Sequence, residues 1–333
     1  MRLPSHEQQW LTALKERVPL SAEETKQLQK LEEGFQGECY LDQLFYLFGP
    51  KDVPYLDDIT LSHHDSVVQI DKLFLLDGTL YLLDAKAYHG NYTYDGQKWR
   101  GEKFPYNTNI FHQLSRAQTV VENILEEVGL PIAVKSLLVF TENDLTLSIP
   151  KELNEKVLRS HELVPWLHTL AKQSKKNSNK YLQTRCIDTL KKAIVPRYRT
   201  KRTLAMERLS QLKKGICCEK CHHYTLTLGT YAYTCQNCGH QESREKAYVR
   251  TICDYGTIFH EQELTRRDLR SFFGENIKED YLKSILRKHF RRTEKKSSAA
   301  SYINDGTPIY EWFKKEKVFF DKTEKRIEWG NKH

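Results

Sequence analysis

The chain has 333 residues, 39% of them hydrophobic and 29% charged, with a net charge of +8 and a pI near 8.9. That is apolar material for two or three cored domains, and a basic balance that favours an anionic partner. No stretch approaches the roughly 18 apolar residues of a membrane span, and the opening MRLPSHEQQWL has no apolar signal core. Five of the eight cysteines lie within residues 217–238, which speaks for metal in a reducing compartment rather than a disulfide framework, so a cytoplasmic protein without membrane contact is expected.

Residues 10–47 read as helical, with Ser21 and Glu24 forming a capping box ahead of the second helix. Gly34 and Gly37 are expected to interrupt that helix. Beyond them Tyr40, Leu41, Leu44, Phe45 and Phe48 recur at helical spacing, as on a core-facing side. Glu38 lies one turn before Leu41. Taken alone it is either a solvated first-turn residue favouring the helix dipole or part of a site. Residues 52–65 suggest a short strand and a polar turn. His63, His64 and Asp65 are metal-ligand types, but adjacent His residues point apart on an extended chain, so a surface turn is expected.

Residues 67–89, VVQIDKLFLLDGTLYLLDAKAYH, predict two apolar strands joined by an Asp77-Gly78 turn, whose central positions both tolerate positive φ. Counting outward from the turn, Leu76 faces Thr79, Leu73 faces Leu82, Asp71 faces Asp84 and Gln69 faces Lys86. Alternation puts Asp71, Asp84, Gln69 and Lys86 on one face. Two opposed carboxylates in an apolar hairpin repel by up to about 1 kcal/mol before desolvation, and a divalent cation between them removes the penalty. Carboxylate oxygens suit Mg²⁺ or Mn²⁺.

Residues 88–103 are rich in Gly and Tyr. Tyr92 and Tyr94 alternate as a strand would, and Asp95-Gly96 turns into Trp99. Aromatics interleaved with Lys98, Arg100 and Lys103 fit a nucleic-acid stacking surface or an ordinary packed edge hairpin. Residues 107–126 predict a helix carrying Gln113, and residues 133–141 a buried strand. The whole points to an α/β mixed sheet flanked by helices.

Ile70-Asp71 followed by Asp84-Ala85-Lys86 resembles the core of the PD-(D/E)XK nucleases. With Gly34-Phe35-Gln36-Gly37-Glu38 upstream and Gln113-Leu114 downstream, residues 31–150 look like the nuclease-related domain (NERD) family. The family commonly has Glu where this chain has Asp84, one methylene shorter with the same charge. Ile70 stands where the generic motif has Pro. The resemblance implies a restriction-endonuclease-like fold, catalytic residues Glu38, Asp71, Asp84, Lys86 and Gln113, and Mg²⁺ or Mn²⁺ on Asp71 and Asp84.

Residues 151–215 read as a helical linker. Its stretch 187–215 holds nine Lys or Arg against Asp188 and Glu207, a local charge of +7, and fits either a phosphate-binding tether or a solvated helix. Arg199, Lys201 and Arg202 are its candidate nucleic-acid contacts. In residues 216–245, Cys218-x-x-Cys221, thirteen residues and Cys235-x-x-Cys238 bracket a strand-like segment. That is a zinc ribbon whose four thiolates would hold a structural Zn²⁺. Cys217 is an alternative first ligand with poorer spacing. Residues 246–333 predict a helix–turn–helix across the turn 274–276, then short arms around Asp305-Gly306, weakly like a winged helix. Arg287, Lys288, Arg291 and Arg292, with Lys295 and Lys296, make its second helix basic, for a DNA groove or simply for solvent. Residues 1–30 form separate N-terminal helices in this reading.

The function expected is a metal-dependent nuclease on DNA, with the ribbon and basic segments aiding binding. The rivals are a DNA-binding or scaffold protein with a decayed core, a nuclease on RNA, and a module that recruits protein partners through the ribbon or C-terminal unit.

Overall fold

The computed structural model describes residues 2–101, 109–130, 132–173, 179–197, 199, 203–274, 277–294 and 301–304. They fall into two compact units. The first comprises residues 1–4 and 29–198, the second residues 5–28 and 199–333.

The opening helices are α1 (His6–Lys15) and α2 (Ala22–Phe48). The capping box forms as read: Ser21 N donates to Glu24 Oε2 at 2.8 Å and Glu24 N to Ser21 Oγ at 3.1 Å. The expected interruption at Gly34 and Gly37 does not occur, because α2 runs unbroken through both. Gly37 has a packing reason instead. A Cβ there would lie 2.8 Å from Thr141 Oγ1 and 2.9 Å from Ala87 Cβ, so the bare backbone is what lets α2 close against the chain just beyond two strands of the sheet.

In the first unit β1 (Tyr55–His63), β2 (Ser66–Leu76) and β3 (Thr79–Lys86) form an antiparallel meander. Asp77 and Gly78 turn between β2 and β3 with φ of 48° and 76°. A side hairpin, β4 (Gly90–Tyr94) and β5 (Trp99–Gly101), leads to α3 (Ile110–Glu126), and then come β6 (Ala133–Phe140), β7 (Leu145–Ser148) and β8 (Val157–Leu158). The main sheet has the order β1-β2-β3-β6-β8, with β6 parallel to β3 and to β8. A smaller sheet has the order β5-β4-β7. Two further helices are α4 (Ser160–Gln173) and α5 (Lys180–Lys192).

Alternation along β2 and β3 builds both cores. Leu73, Leu75, Leu80 and Leu82 join Leu114 and Val121 of α3 and Ile187 and Leu190 of α5. Phe74, Leu76 and Leu83 join Leu41 and Phe45 of α2 and Leu163 and Leu167 of α4. A sheet covered on both faces explains the nearly continuous apolar run of the hairpin. The mixed α/β sheet flanked by helices is therefore as expected. The linker is not: α4 and α5 bury apolar faces in these cores, and the first unit extends to residue 198. The stacking reading of the aromatic hairpin also fails for Tyr92, Tyr94 and Trp99, which are buried in the first core; Lys98 and Arg100 remain exposed. Lys103 lies outside the described residues.

In the second unit, α6 (Met206–Gln211) precedes a three-stranded sheet of β9 (Leu226–Leu228), β10 (Ala232–Cys235) and β11 (Gln241–Ser243), in the order β11-β10-β9. A helix the sequence reading did not single out, α7 (Arg244–Ile258), follows β11 directly, with Ser243 as its N-cap. Then come β12 (Leu264–Thr265), α8 (Arg266–Phe273), α9 (Glu279–His289) and β13 (Ser301–Tyr302), which pairs with β12 and bridges to Arg292. Tyr248, Ile252, Leu269, Phe272, Leu282 and Leu286 form their common core. Residues 5–28, 216–245 and 246–333 thus cluster as one unit rather than three. The turn residues Glu275 and Asn276, Lys295, Lys296 and the Asp305-Gly306 arm lie outside the described residues. No helix among the described residues is long and apolar enough to cross a membrane.

Candidate active site

Backbone pairing of β2 with β3 stops at Lys72 opposite Leu83. The expected continuation to Asp71–Asp84 and Gln69–Lys86 is not made. Beyond that point β2 stays with β1, where Ile70 faces Ile59, and β3 stays with β6, where Lys86 faces Phe140. The Asp71 side chain takes the place of the missing rung, its Oδ2 accepting from Ala85 N at 2.8 Å. Where the strands part, a cleft of about 340 Å³ opens, lined by Glu38, Gln69, Asp71, Asp84, Lys86 and Gln113. All five residues of the expected catalytic set line this one cleft.

Each side chain has an evident support. Glu38 sits three residues before Leu41 on α2, whose approach Gly37 permits. Gln113 lies in the first turn of α3, capped by Asn109, whose Oδ1 accepts from Phe111 N and His112 N and whose Nδ2 donates to the Tyr94 hydroxyl at 2.8 Å. Arg116 on the same helix donates to the Val67 carbonyl at 2.6 Å and ties α3 to the start of β2. Lys86 Nζ lies 2.6 Å from Asp84 Oδ1.

The electrostatics are those of crowded, partly desolvated carboxylates. Burial pushes Asp84 up to about 6, with Lys86 opposing and Asp71 reinforcing. Burial pushes Glu38 up to about 7, with Asp71 reinforcing and Arg2 opposing. Burial works against the charge of Lys86, but Asp84 and Asp71 more than offset it and keep the ammonium protonated.

The sequence reading missed the cations and acids behind these residues. Arg2 reaches Glu38, Asp42, Asp58 and Asp71. Lys72 binds Asp42 at 2.9 Å and also Asp57, and Arg197 binds Asp58. Charged residues inside apolar strands, Asp57, Asp58 and Lys72, were the available signal. Nothing local announces Arg2, sixty-nine positions from Asp71. His63 and His64 do come together, with Glu127 rather than Asp65 as their acidic neighbour.

In the second unit Cys218, Cys221, Cys235 and Cys238 bring four sulfurs within 4.8 Å of one another. The Cys218–Cys238 and Cys221–Cys235 sulfurs are 3.7 and 3.5 Å apart. Tetrahedral Zn²⁺ with Zn–S of about 2.3 Å needs sulfurs roughly 3.8 Å apart, so the donor set fits. Cys221 is drawn down to about 5 by the Asn237 side chain and a backbone amide. Cys217 is the spare: its sulfur and carbonyl take Arg250, which also clasps Glu242 in a buried ion pair. Arg287 and Lys288 are exposed on α9, and Arg291 and Arg292 are exposed just beyond it. Lys288 is spoken for by Glu245, 2.6 Å away. Arg199 is partly exposed, whereas Lys201 and Arg202 lie outside the described residues.

Residues 33–141, which hold the parting strands and their carboxylates and lysine, match the family model described as the nuclease-related domain, NERD. This segment is similar to nuclease-related domains. Among solved structures, Can2 from Sulfobacillus thermosulfidooxidans in complex with cyclic tetra-adenylate is similar at 14% identity over 51% of this chain, with a TM-score of 0.24. The chain spans about half the length of that protein. No curated protein matches the chain.

Proposed function

We propose that the chain is a divalent-metal-dependent nuclease that hydrolyses phosphodiester bonds in DNA. The observation that carries this reading is the gathering of Asp71, Asp84 and Lys86 where β2 and β3 part, inside a nuclease-related domain. Asp71 and Asp84 offer hard oxygen donors of the kind Mg²⁺ or Mn²⁺ takes, and their mutual repulsion gives a cation reason to bind. When bound, that cation neutralises charge on the scissile phosphate and acidifies a water.

The chain's own groups do the rest. Lys86, held protonated, donates to phosphate oxygen as negative charge develops there. Glu38, with its carboxyl near neutrality, takes the proton of the attacking water. Gln113 orients the phosphate from the first turn of α3. Zn²⁺ on the four cysteines has a structural role, since four thiolates leave no position for substrate. DNA is favoured by Arg287 on α9 and Arg291 and Arg292 beyond it, in a helix–strand–helix–helix–strand order that suits a winged-helix reading; these and the sequence candidates Arg199, Lys201 and Arg202 would supply phosphate contacts.

The test is cleavage of linear and circular DNA, single- and double-stranded, in Mg²⁺, Mn²⁺ or EDTA, with RNA as competitor. Metal-dependent cleavage by wild type, lost in Asp84→Ala and Lys86→Ala, is expected. Equal activity in all three proteins would place the chemistry elsewhere, and preferential cleavage of RNA would replace the substrate assignment.

A further inference from the structure

Arg2 is the least expected member of the acidic cluster. Its side chain has no exposed surface. Nη1 stands 3.0 Å from Glu38 Oε2, 3.8 Å from Asp58 Oδ1 and 3.8 Å from Asp71 Oδ1. Nε lies 3.1 Å from Asp42 Oδ2, and Nη2 donates to the Asp71 carbonyl at 2.7 Å. One nitrogen is therefore ringed by carboxylates from α2, β1 and β2, an arrangement resembling the ligand shell of a cation.

Asp71 belongs to both sides of this arrangement. Its Oδ1 faces Arg2, while its Oδ2 accepts from Ala85 N, beside Asp84. Two-metal hydrolases use cations about 3.5–4 Å apart to hold the attacking and leaving oxygens. A carboxylate that serves two cations at once would sit as Asp71 does, and here one of the two positions is taken by a guanidinium nitrogen. The charges agree. Glu38, Asp42, Asp57, Asp58, Asp71 and Asp84 are linked by ion pairs to Arg2, Lys72, Lys86 and Arg197. Six carboxylates against four cations leave a formal charge of −2, which one divalent ion cancels and two would overshoot.

We propose that Arg2 is a resident cation in the second metal position of the cleft, so that the site takes one divalent ion, between Asp71 and Asp84. This rests on the metal-dependent reading above. Arg2 is a positioning residue: it engages the outer oxygen of Asp71, sets Glu38 beside the cleft and keeps the cleft a one-metal site. Replacing it with a neutral side chain leaves Glu38, Asp58 and Asp71 facing one another and opens the second position.

The experiment is Mn²⁺ titration of the zinc-loaded full chain, read by calorimetry and by Mn²⁺ electron paramagnetic resonance. Wild type, Arg2→Gln, Arg2→Lys and Asp84→Asn are compared, each first checked for cooperative melting. The expected result is one Mn²⁺ per chain with an uncoupled spectrum in wild type and Arg2→Lys, and two with a spin-coupled spectrum in Arg2→Gln. Two ions in wild type would overturn the proposal, whether or not Arg2→Gln folds. One ion in a folded Arg2→Gln would overturn it as well. Failure of the underlying reading looks different: wild type that binds no Mn²⁺, or binds it equally well as Asp84→Asn, would remove the hairpin metal site and this inference with it.

Discussion

The cysteine ribbon and the carboxylate cleft are two sets of metal-type donors built in opposite ways. The four cysteines of the ribbon lie within 21 consecutive residues and are aimed by two short knuckles, with three small strands between and after them. The carboxylate cleft draws on α2, β1, β2, β3 and α3 and on Arg2. In so small a ribbon the fold is expected to depend on the ligand. The cleft sits at the edge of two large cores, so its carboxylates are held in mutual repulsion by packing that stands without a metal. The first arrangement suits a site whose fold follows its ligand; the second is held by packing and would gain from a cation.

The largest effect should come from the ribbon. Structural Zn²⁺ contributes about 10–16 kcal/mol in small zinc modules, nearly all of it folding energy. Cys235→Ser, or a chelator strong enough to strip zinc, should therefore abolish hydrogen-exchange protection in β9 to β11 and leave β2 and β3 protected. Loss of protection in the β2–β3 hairpin on zinc removal would break the contrast. The cleft should respond in the other sense. Lys86→Ala is expected to lower kcat by about 10²–10³-fold, as for loss of one donor to a developing oxyanion. Asp84→Asn should abolish metal-dependent cleavage while raising the melting temperature in EDTA, since it removes a carboxylate whose ionisation the fold opposes. A lower melting temperature in EDTA would show that Asp84 is a structural anchor.

A pH series sharpens the same point. Glu38 is raised from 4.5 to about 7 and Asp84 from 3.8 to about 6. Between about pH 4 and 7 the folded chain therefore holds more protons at these sites than the unfolded chain. Their contribution to stability is present at the acid end and is lost as pH rises through that window. Protons and a divalent cation compete for the Asp84 oxygens, so Mn²⁺ affinity should climb as pH rises through about 6. Melting curves at pH 5 and pH 8, with and without Mn²⁺, are expected to show a larger metal-induced shift at pH 8. A shift that does not grow with pH would dissociate the raised carboxyls from the metal site.

How much of this was legible follows from the same contrast. The ribbon was readable outright because its ligands are neighbours in sequence, and the choice of Cys218 over Cys217 followed from knuckle spacing alone. The hairpin was readable because the Asp77-Gly78 turn fixes register, and with it which carboxylates come near each other. That the strands part at Lys72 and Leu83 was not readable, since it depends on β1 and β6 each holding one strand. Arg2 and Arg197 were invisible for the same reason. Their partners lie far off in sequence, and no periodic pattern records a buried ion pair. The aromatic hairpin stayed open between two readings because alternating Tyr and Trp with Lys and Arg looks alike whether the rings face solvent or a core; burial decided for the packed hairpin.

The two glycines of α2 provide the finest test of a cleft held by packing rather than by its metal. Both were read as helix breakers, and both are helical, so for each the intrinsic cost relative to Ala is about 1 kcal/mol. At Gly34 a Cβ meets nothing within 4 Å. Gly34→Ala should therefore stabilise the chain by roughly 0.5–1 kcal/mol and leave Mn²⁺ affinity and cleavage unchanged. At Gly37 the added Cβ would meet Thr141 Oγ1 at 2.8 Å and Ala87 Cβ at 2.9 Å, closer than packed atoms tolerate. Gly37→Ala must push α2 away from Ala87 and Thr141, which lie just past β3 and β6, at a net cost of about 1–3 kcal/mol for overpacking. Glu38 is the next residue and moves with the helix, away from Asp71 and Lys86. The substitution should thus lower cleavage more than stability alone explains, at temperatures where the variant is fully folded. Normal activity in a destabilised Gly37→Ala would mean that Glu38 does not need its place beside the other carboxylates, and would remove it from the catalytic set.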